Sequence, residues 1–141
     1  MRKILFRGQT RRHGEKVRVG DGEKLPGHWV YGGILQGVGD FSVIYGGENE
    51  NDPGEGLDKW PVYSDTVGQF TGLTDKNGKK IFEGDILRCV FGGVRFVKFH
   101  AGRFVLVRSD GHCQTHWPNE CAVIGNIHDN PELLGGAEDG R

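Results

Sequence analysis

The sequence predicts an all-β fold, and three observations lead to that class. The 141 residues include 25 glycines, which separate short runs of Val, Ile, Phe and Tyr, residues that favour strands. No window keeps a helical apolar period over three turns. Turn dipeptides such as Asn77-Gly78 lie between the runs, so neighbouring strands can reverse direction. The expected architecture is a small antiparallel β-barrel with an N-terminal β extension, long mobile loops and a short C-terminal helical turn.

Eight short strands are expected along the chain. Three belong to the N-terminal extension and five to the barrel core: 4–8, 29–35 and 41–45, followed by 68–73, 86–91, 94–100, 104–107 and 121–127. Tight connections between the later runs predict that these strands pair antiparallel with their sequence neighbours, as in a meander. A helical turn is expected after the last strand, because Asn130 can cap it, Pro131 suits its first position and Glu132 lies at the positive end of its dipole.

Length and composition predict a single domain, 1–134, in which residues 1–60 form the extension and 61–134 the barrel core. The segment 46–59 has five acids, four glycines and one bulky apolar residue. Such a segment cannot bury enough surface to offset its ordering entropy, so we expect it to be a mobile acidic loop. The tail 135–141 is polar and rich in glycine, and we expect it to be disordered.

The formal net charge is −1, but the charges are segregated along the chain. Residues 1–18, which we call the basic head, hold seven Lys or Arg against one acid, whereas residues 19–58 hold one against eight. Residues 59–141 hold ten of each sign. The head could neutralise phosphates, or it could be neutralised by the acidic segment within one subunit or in a neighbouring one.

Cysteine content and hydropathy lead to an expectation about location. Three cysteines without a preceding signal peptide favour reduced thiols in a cytosol. No apolar run approaches the roughly 20 residues that a membrane-spanning helix needs. We therefore expect a cytoplasmic protein that does not contact a membrane.

The region 66–87 carries the most specific pattern in the chain. It joins two turns, one at 75–78 and one at 83–85, and a further run, IGNIHDNPELL, follows at 124–134. These signatures resemble the YopX family of bacteriophage and prophage proteins, which has no assigned biochemical role. The resemblance implies a bacterial host. From the turn chemistry we expect a structural role for the following positions: Gly68, Gln69, Thr71, Gly72, Asp75, Gly78, Glu83, Gly84, Asp85, Gly125, Asn126, Asn130 and Pro131. We expect Gly84 to adopt a positive φ and Asp85 to accept hydrogen bonds from backbone amides of its own turn.

Metal and catalytic patterns are weak. His112, Cys113, His116 and Cys121 lie within ten residues, but a second close pair of ligands, which tetrahedral zinc sites normally use, is missing. The acids of 46–59 do not match the spacing of a calcium loop. The run 72–80 departs from a phosphate-binding loop and is better explained as a hairpin turn. The sequence therefore predicts no catalytic residue, no metal and no cofactor.

Binding hypotheses remain. The preferred one is a non-catalytic module that acts through contacts with an unknown protein partner or through self-association as a homo-oligomer, for example by adding a strand at a sheet edge. The alternative is weak binding of single-stranded nucleic acid, with Phe6 available for stacking. The side chains assigned to that alternative are Arg2, Lys3, Arg7, Arg11 and Arg12.

Overall fold

The structure is a computed structural model, and it is all-β, as the sequence predicts. It describes residues 4–12, 14–15, 28–35, 39–52, 54, 58–89, 93–108, 110–114 and 120–135. The described strands form two antiparallel sheets. The chain divides into two compact units, Met1–Gln69 and Phe70–Arg141. The single domain 1–134 and the disorder of the tail stay predictions, and residues 136–141 lie outside the described part.

The described residues of the first unit form four strands and the start of a fifth. They are β1 (Phe6–Gln9), β2 (Trp29–Leu35), β3 (Phe41–Gly47), β4 (Lys59–Tyr63) and β5 (Gly68–Thr74), with a short 3₁₀ helix, Ser64–Thr66, before β5. The strand order is β4-β3-β2-β1-β5, and Gly68 and Gln69 are the β5 residues that pair with β1. The core of this unit contains Val30, Ile44 and Val62, which are all fully buried.

The second unit holds the remainder of β5 and the other elements. They are β6 (Lys80–Phe82), β7 (Asp85–Cys89), β8 (Gly93–His100), β9 (Arg103–Arg108), β10 (Cys113–Gln114), β11 (Cys121–Asn126) and a one-turn helix α1 (Glu132–Gly135). β6 pairs with β5, and the other five strands form a sheet in the order β10-β9-β8-β7-β11. Leu87, Val97 and Leu106 lie in its core together with the two cysteines Cys89 and Cys121. The predicted helical turn is confirmed.

Three short strands, β4, β6 and β10, were not expected. β3 also extends to Gly47, which pairs with Tyr31 of β2, and β4 begins at Lys59. Both ends of the predicted loop 46–59 therefore belong to strands, because sheet pairing supplies hydrogen bonds that composition does not reveal. The mobility of the loop stays a prediction, and residues 53 and 55–57 lie outside the described part.

The structure supports the predicted antiparallel sheets but does not establish a closed barrel. Among the described residues, the strand pairings do not close either sheet into a ring. What is established is an all-β protein with two antiparallel sheets. Within the same residues, no helix is long and apolar enough to cross a membrane.

The expectation of three reduced thiols is wrong. Cys89 and Cys121 form a disulfide, and Cys113 is free and exposed. The two bonded cysteines lie directly opposite each other on β7 and β11, with 4.1 Å between their Cα atoms. Cysteine count alone misleads here, because the pairing depends on the register of two strands that are 32 residues apart.

Candidate functional site

The family-like turn at 75–79 anchors an edge strand. Asp75 is only 9% exposed, and its Oδ1 accepts hydrogen bonds from the backbone N–H groups of Asn77 (2.8 Å) and Lys79 (2.9 Å). Its Oδ2 accepts a third from the N–H of Val123 in β11 (2.9 Å). The N–H of Lys76 donates to the carbonyl of Cys121 (3.0 Å). The turn thus occupies backbone groups on the side of β11 that faces away from β7, where an edge strand is otherwise open to another chain.

The charge of Asp75 is stabilised by these bonds. Burial raises the pKa of this carboxyl group, but the N–H donors of Val123, Lys79 and Asn77, together with the Lys79 charge, outweigh it and hold the pKa below its ordinary value. The carboxylate therefore remains ionised as the acceptor that ties the turn to β11.

The turn at 83–85 has the geometry expected for it. Gly84 has a φ of 93°, a conformation that residues with side chains resist. Its N–H donates to the carbonyl of Val97 (2.8 Å), and its carbonyl accepts from the N–H of Ile127 (2.9 Å). Asp85 is 1% exposed, and its Oδ2 accepts from the N–H of Phe82 (2.8 Å). Glu83 and Asp85 therefore belong to a tight turn between β6 and β7. The Oδ2 atom of Asp85 is occupied by a backbone hydrogen bond of that turn.

The third signature, at 125–130, forms the turn between β11 and α1. The Oδ1 of Asn126 accepts from the N–H groups of His128 (3.0 Å) and Asp129 (2.9 Å). Gly125 is required for close approach, because a Cβ added there would lie 2.5 Å from Oδ1 of Asn130. That oxygen accepts from the N–H of Asn126 (3.2 Å). The predicted helix cap at Asn130 needs correction, since its side chain turns back to β11, and only its carbonyl accepts from the helix.

These hydrogen bonds give backbone-binding roles to four of the signature residues, Asp75, Asp85, Asn126 and Asn130. Thr71 follows the same rule, since its hydroxyl donates to the carbonyl of Ile81 (2.8 Å). In each of these five residues a polar side-chain atom completes backbone hydrogen bonding within the second unit, whereas the structural roles expected for Gln69 and Glu83 stay predictions. Because these polar atoms are already occupied within the chain, other residues are better candidates for a binding surface.

The basic head offers fewer available charges than its composition suggests. Arg7 is 5% exposed, and its guanidinium carbon lies 4.5 Å from the centre of the Trp29 ring. Phe6 is half-buried and packs against the core of the first unit, so only part of its ring is open for stacking. Arg2 and Lys3 lie outside the described residues. Arg11 is half-buried.

Arg12 takes part in a cluster at the surface of the first unit. Its guanidinium lies 4.2 Å from the centre of the Tyr63 ring and pairs with Asp65 at 3.1 Å. The hydroxyl of Tyr63 donates to the carboxylate of Glu15 (2.9 Å). The hydrogen bond with Asp65 raises the pKa of Arg12, and the hydrogen bond to Glu15 raises the pKa of Tyr63. The neutralising acid, Asp65, lies outside the segment 19–58 from which neutralisation was expected.

The weak zinc pattern does not assemble. Cys121 is in the disulfide and therefore cannot supply a thiolate. His116 lies outside the described residues. Within the described part of the chain, no group of three or more His, Cys, Asp or Glu side chains is placed to hold a metal ion.

The first unit exposes a patch that sequence reasoning missed, which we call the outer apolar face. It consists of Leu35, Phe41, Val43, Pro61 and Tyr63 on β2, β3 and β4. In the register of the sheet, Val43 lies between Leu35 on one side and Pro61 on the other. Phe41 lies opposite Tyr63. Leu35 is 57% and Phe41 is 52% exposed. The signal was present on β3, because Phe41 and Val43 alternate with the buried Ser42 and Ile44.

The edge of this sheet is poorly suited to strand addition. Gly46 donates to the carbonyl of Asp58, and Ser64 donates to the carbonyl of Asp40, so the even-numbered residues of β4 are those that bond to β3. Pro61 then turns its nitrogen, which carries no hydrogen, to the open side. This position cannot donate to an added strand, so the outer apolar face is a better contact surface than the edge of β4.

A cleft in the second unit lies beside the disulfide. Its volume is about 420 Å³, and its lining includes Lys76, Arg88, Glu120, Ala122 and Ile124. Arg88 and Ala122 are opposite in register on β7 and β11. Two cations and one carboxylate leave the lining with a small positive charge, but its charged side chains are all exposed. Among its described lining residues, the cleft has none of the buried polar side chains that usually fix a ligand's orientation.

Comparisons with known proteins identify a family without a known activity. The model of the YopX protein family matches residues 30–135. Among solved structures, the chain is similar to protein EF1440 from Enterococcus faecalis, with 32% sequence identity, coverage of 67% of this chain and 75% of that chain, and a TM-score of 0.39. No curated protein matches the chain.

Proposed function

The chain belongs to the YopX family, and from this premise we propose that it is a phage- or prophage-derived binding module, without catalytic activity, that self-associates through the outer apolar face. The observation that carries the proposal is the exposure of Leu35 and Phe41, 57% and 52%, within one patch of three strands. Contiguous apolar side chains of this kind favour a protein contact, since their burial removes them from water.

The charges around this face favour a second copy of the same chain as the occupant. Lys59 and Asp65 lie near the two ends of β4. A two-fold axis near residue 62, midway between them in the sequence, would bring Lys59 of each copy opposite Asp65 of the other, so that Asp65 lies between this lysine and Arg12 of its own chain. The net charge of −1 also adds little repulsion between copies. Face-to-face stacking agrees with the absence of an N–H donor at Pro61, which disfavours pairing through the edge.

The size of the face predicts a weak complex. Three strands about 4.8 Å apart and about five residues long at 3.3 Å each cover roughly 250 Å². Stable interfaces bury about 800 Å² per partner. We therefore expect reversible association with a dissociation constant in the micromolar range or weaker.

Sedimentation velocity over a concentration series tests the proposal. The parent protein should show a sedimentation coefficient that rises with concentration, and Leu35→Glu should remain monomeric because a carboxylate would be buried in the contact. Leu73→Glu is the matched control, since Leu73 is 45% exposed but lies in the second unit. A parent protein that stays monomeric at several hundred micromolar, or a Leu35→Glu variant that associates like the parent, contradicts the proposal.

Binding of single-stranded nucleic acid is the second candidate. It is supported by cations close to aromatic rings, with Lys59 lying 5.9 Å from the centre of the Tyr45 ring and Arg12 above Tyr63, an arrangement compatible with base stacking. The burial of Arg7 and the pairing of Arg12 predict weak affinity, about 10⁻⁴ to 10⁻⁶ M. Fluorescence anisotropy with a labelled oligonucleotide measures it, and nanomolar binding at physiological salt would place this candidate first.

A further inference from the structure

Two arginines share one face of the five-stranded sheet in the second unit. Arg95 of β8 and Arg108 of β9 are directly opposite in register, so both side chains emerge on the same side. On its other flank Arg95 is opposite Leu87, which belongs to the core. Arg95 is 6% exposed, whereas the side chain of Arg108 is 48% exposed. Like charges placed opposite each other are unfavourable unless an anion compensates them.

The described residues do not supply a carboxylate for Arg95. Its Nε donates to Oε1 of Gln114 (3.0 Å), which is a neutral acceptor. Its Nη1 is buried and makes no hydrogen bond within the described part of the chain. Arg108 has Asp110 as a partner, but the distance from Nη2 to Oδ2 is 3.8 Å and the Asp110 side chain is 61% exposed. A buried guanidinium N–H without an acceptor requires an explanation.

We propose that Arg95 and Arg108 form a binding site for a phosphate group. The guanidinium groups supply planar sets of donors that match an oxyanion. A phosphate dianion would balance both charges, whereas a single carboxylate would balance only one. In this arrangement one phosphate oxygen accepts from Nη1 of Arg95, and Arg108 binds from the exposed side in place of its loose contact with Asp110. The site is independent of the outer apolar face, which belongs to the first unit.

The test measures binding at the arginine itself. Sodium phosphate is titrated into ¹⁵N-labelled protein at constant ionic strength with chloride as the balancing ion, and the side-chain Nε–H signal of Arg95 is followed by NMR. Glycerol phosphate is titrated separately, because it reports on a phosphate monoester and inorganic phosphate on the free ion. We expect a saturable shift of the Arg95 signal with at least one of them, and a weaker response to acetate.

Variants separate this site from general anion effects. Arg108→Gln should weaken phosphate binding about tenfold or more, because it removes charge-assisted hydrogen bonds, and the exposure of Arg108 favours retention of the fold. Arg103→Gln is the matched control, since Arg103 lies on the same strand at a position that points to the opposite face, and its dissociation constant should stay within about twofold of the parent's. The absence of a saturable shift, equal weakening in both variants, or acetate binding as tight as phosphate binding would overturn the proposal.

Discussion

Replacement of Asp75 by alanine tests the structural role of the turn at 75–79. The change removes three backbone hydrogen bonds, from Asn77, Lys79 and Val123. Val123 is half-buried, so loss of the hydrogen bond from its N–H should lower the free energy of unfolding by about 1.5–3 kcal/mol. Asn77 and Lys79 are exposed, and water can replace the carboxylate there, so loss of each of these two hydrogen bonds should cost about 0.5 kcal/mol. The expected loss in the free energy of unfolding is therefore about 3 kcal/mol, or roughly 10 °C in Tm.

The loss should depend on pH in a defined direction. The pKa of Asp75 is lower in the folded protein than its ordinary value, so the carboxylate contributes stability above the unfolded pKa of about 3.9. This contribution is lost as the pH falls through the folded pKa. The difference in stability between the parent protein and Asp75→Ala should be constant from about pH 7 to pH 5 and should shrink below about pH 4.

Urea unfolding followed by circular dichroism measures both effects. Asp110→Ala is the matched control, because Asp110 also accepts a backbone hydrogen bond within a turn, from His112 at 2.9 Å, but is exposed. The control should lose at most about 0.5 kcal/mol. The reasoning fails if Asp75→Ala unfolds within about 0.5 kcal/mol of the parent protein, or if its deficit does not change between pH 7 and pH 3.

Three further outcomes follow from other parts of the second unit. Gly84→Val should destabilise the protein by about 1–3 kcal/mol in the same urea assay, because valine must adopt the φ of 93°. Gly125→Ala should also be destabilising, by about 1–3 kcal/mol, because its methyl group would press on the adjacent side-chain amide, and an unchanged urea midpoint would contradict this. Thiol titration of the native, unreduced protein should find one reactive group, Cys113, and reduction of the bond between Cys89 and Cys121 should lower stability by about 3–4 kcal/mol, given the separation of 32 residues. Three reactive thiols before reduction would contradict the disulfide.

Local chemistry made several elements predictable. Asn77-Gly78 marks a turn, and Gly84 requires a backbone conformation that few other residues adopt, so both corners can be recognised from neighbouring residues alone. The long β runs and the helical turn after Pro131 can likewise be predicted from residues that are close together in the sequence. These signals are short in range, and no distant part of the chain is needed to interpret them.

Short strands and charged side chains were less predictable. β4 contains Pro61, which weakens a strand signal, yet pairing with β3 makes it a strand at the edge of the sheet. Arg7 is one of seven basic residues in the head, but its position opposite Tyr31 on β1 and β2 leaves it buried. Composition describes the number of charges in a segment, whereas burial depends on the strands that pack beside it.

The sequence by itself determined the all-β class, the family and the positions of the main turns, because strand propensity and turn chemistry depend on residues close together in the chain. Only the tertiary structure decided which residues meet. The disulfide between Cys89 and Cys121, the attachment of Asp75 to Val123 and the pairing of Arg95 with Arg108 all depend on strand register. A shift of one residue in register would turn each side chain to the opposite face of its sheet, so these contacts are properties of the assembled sheets.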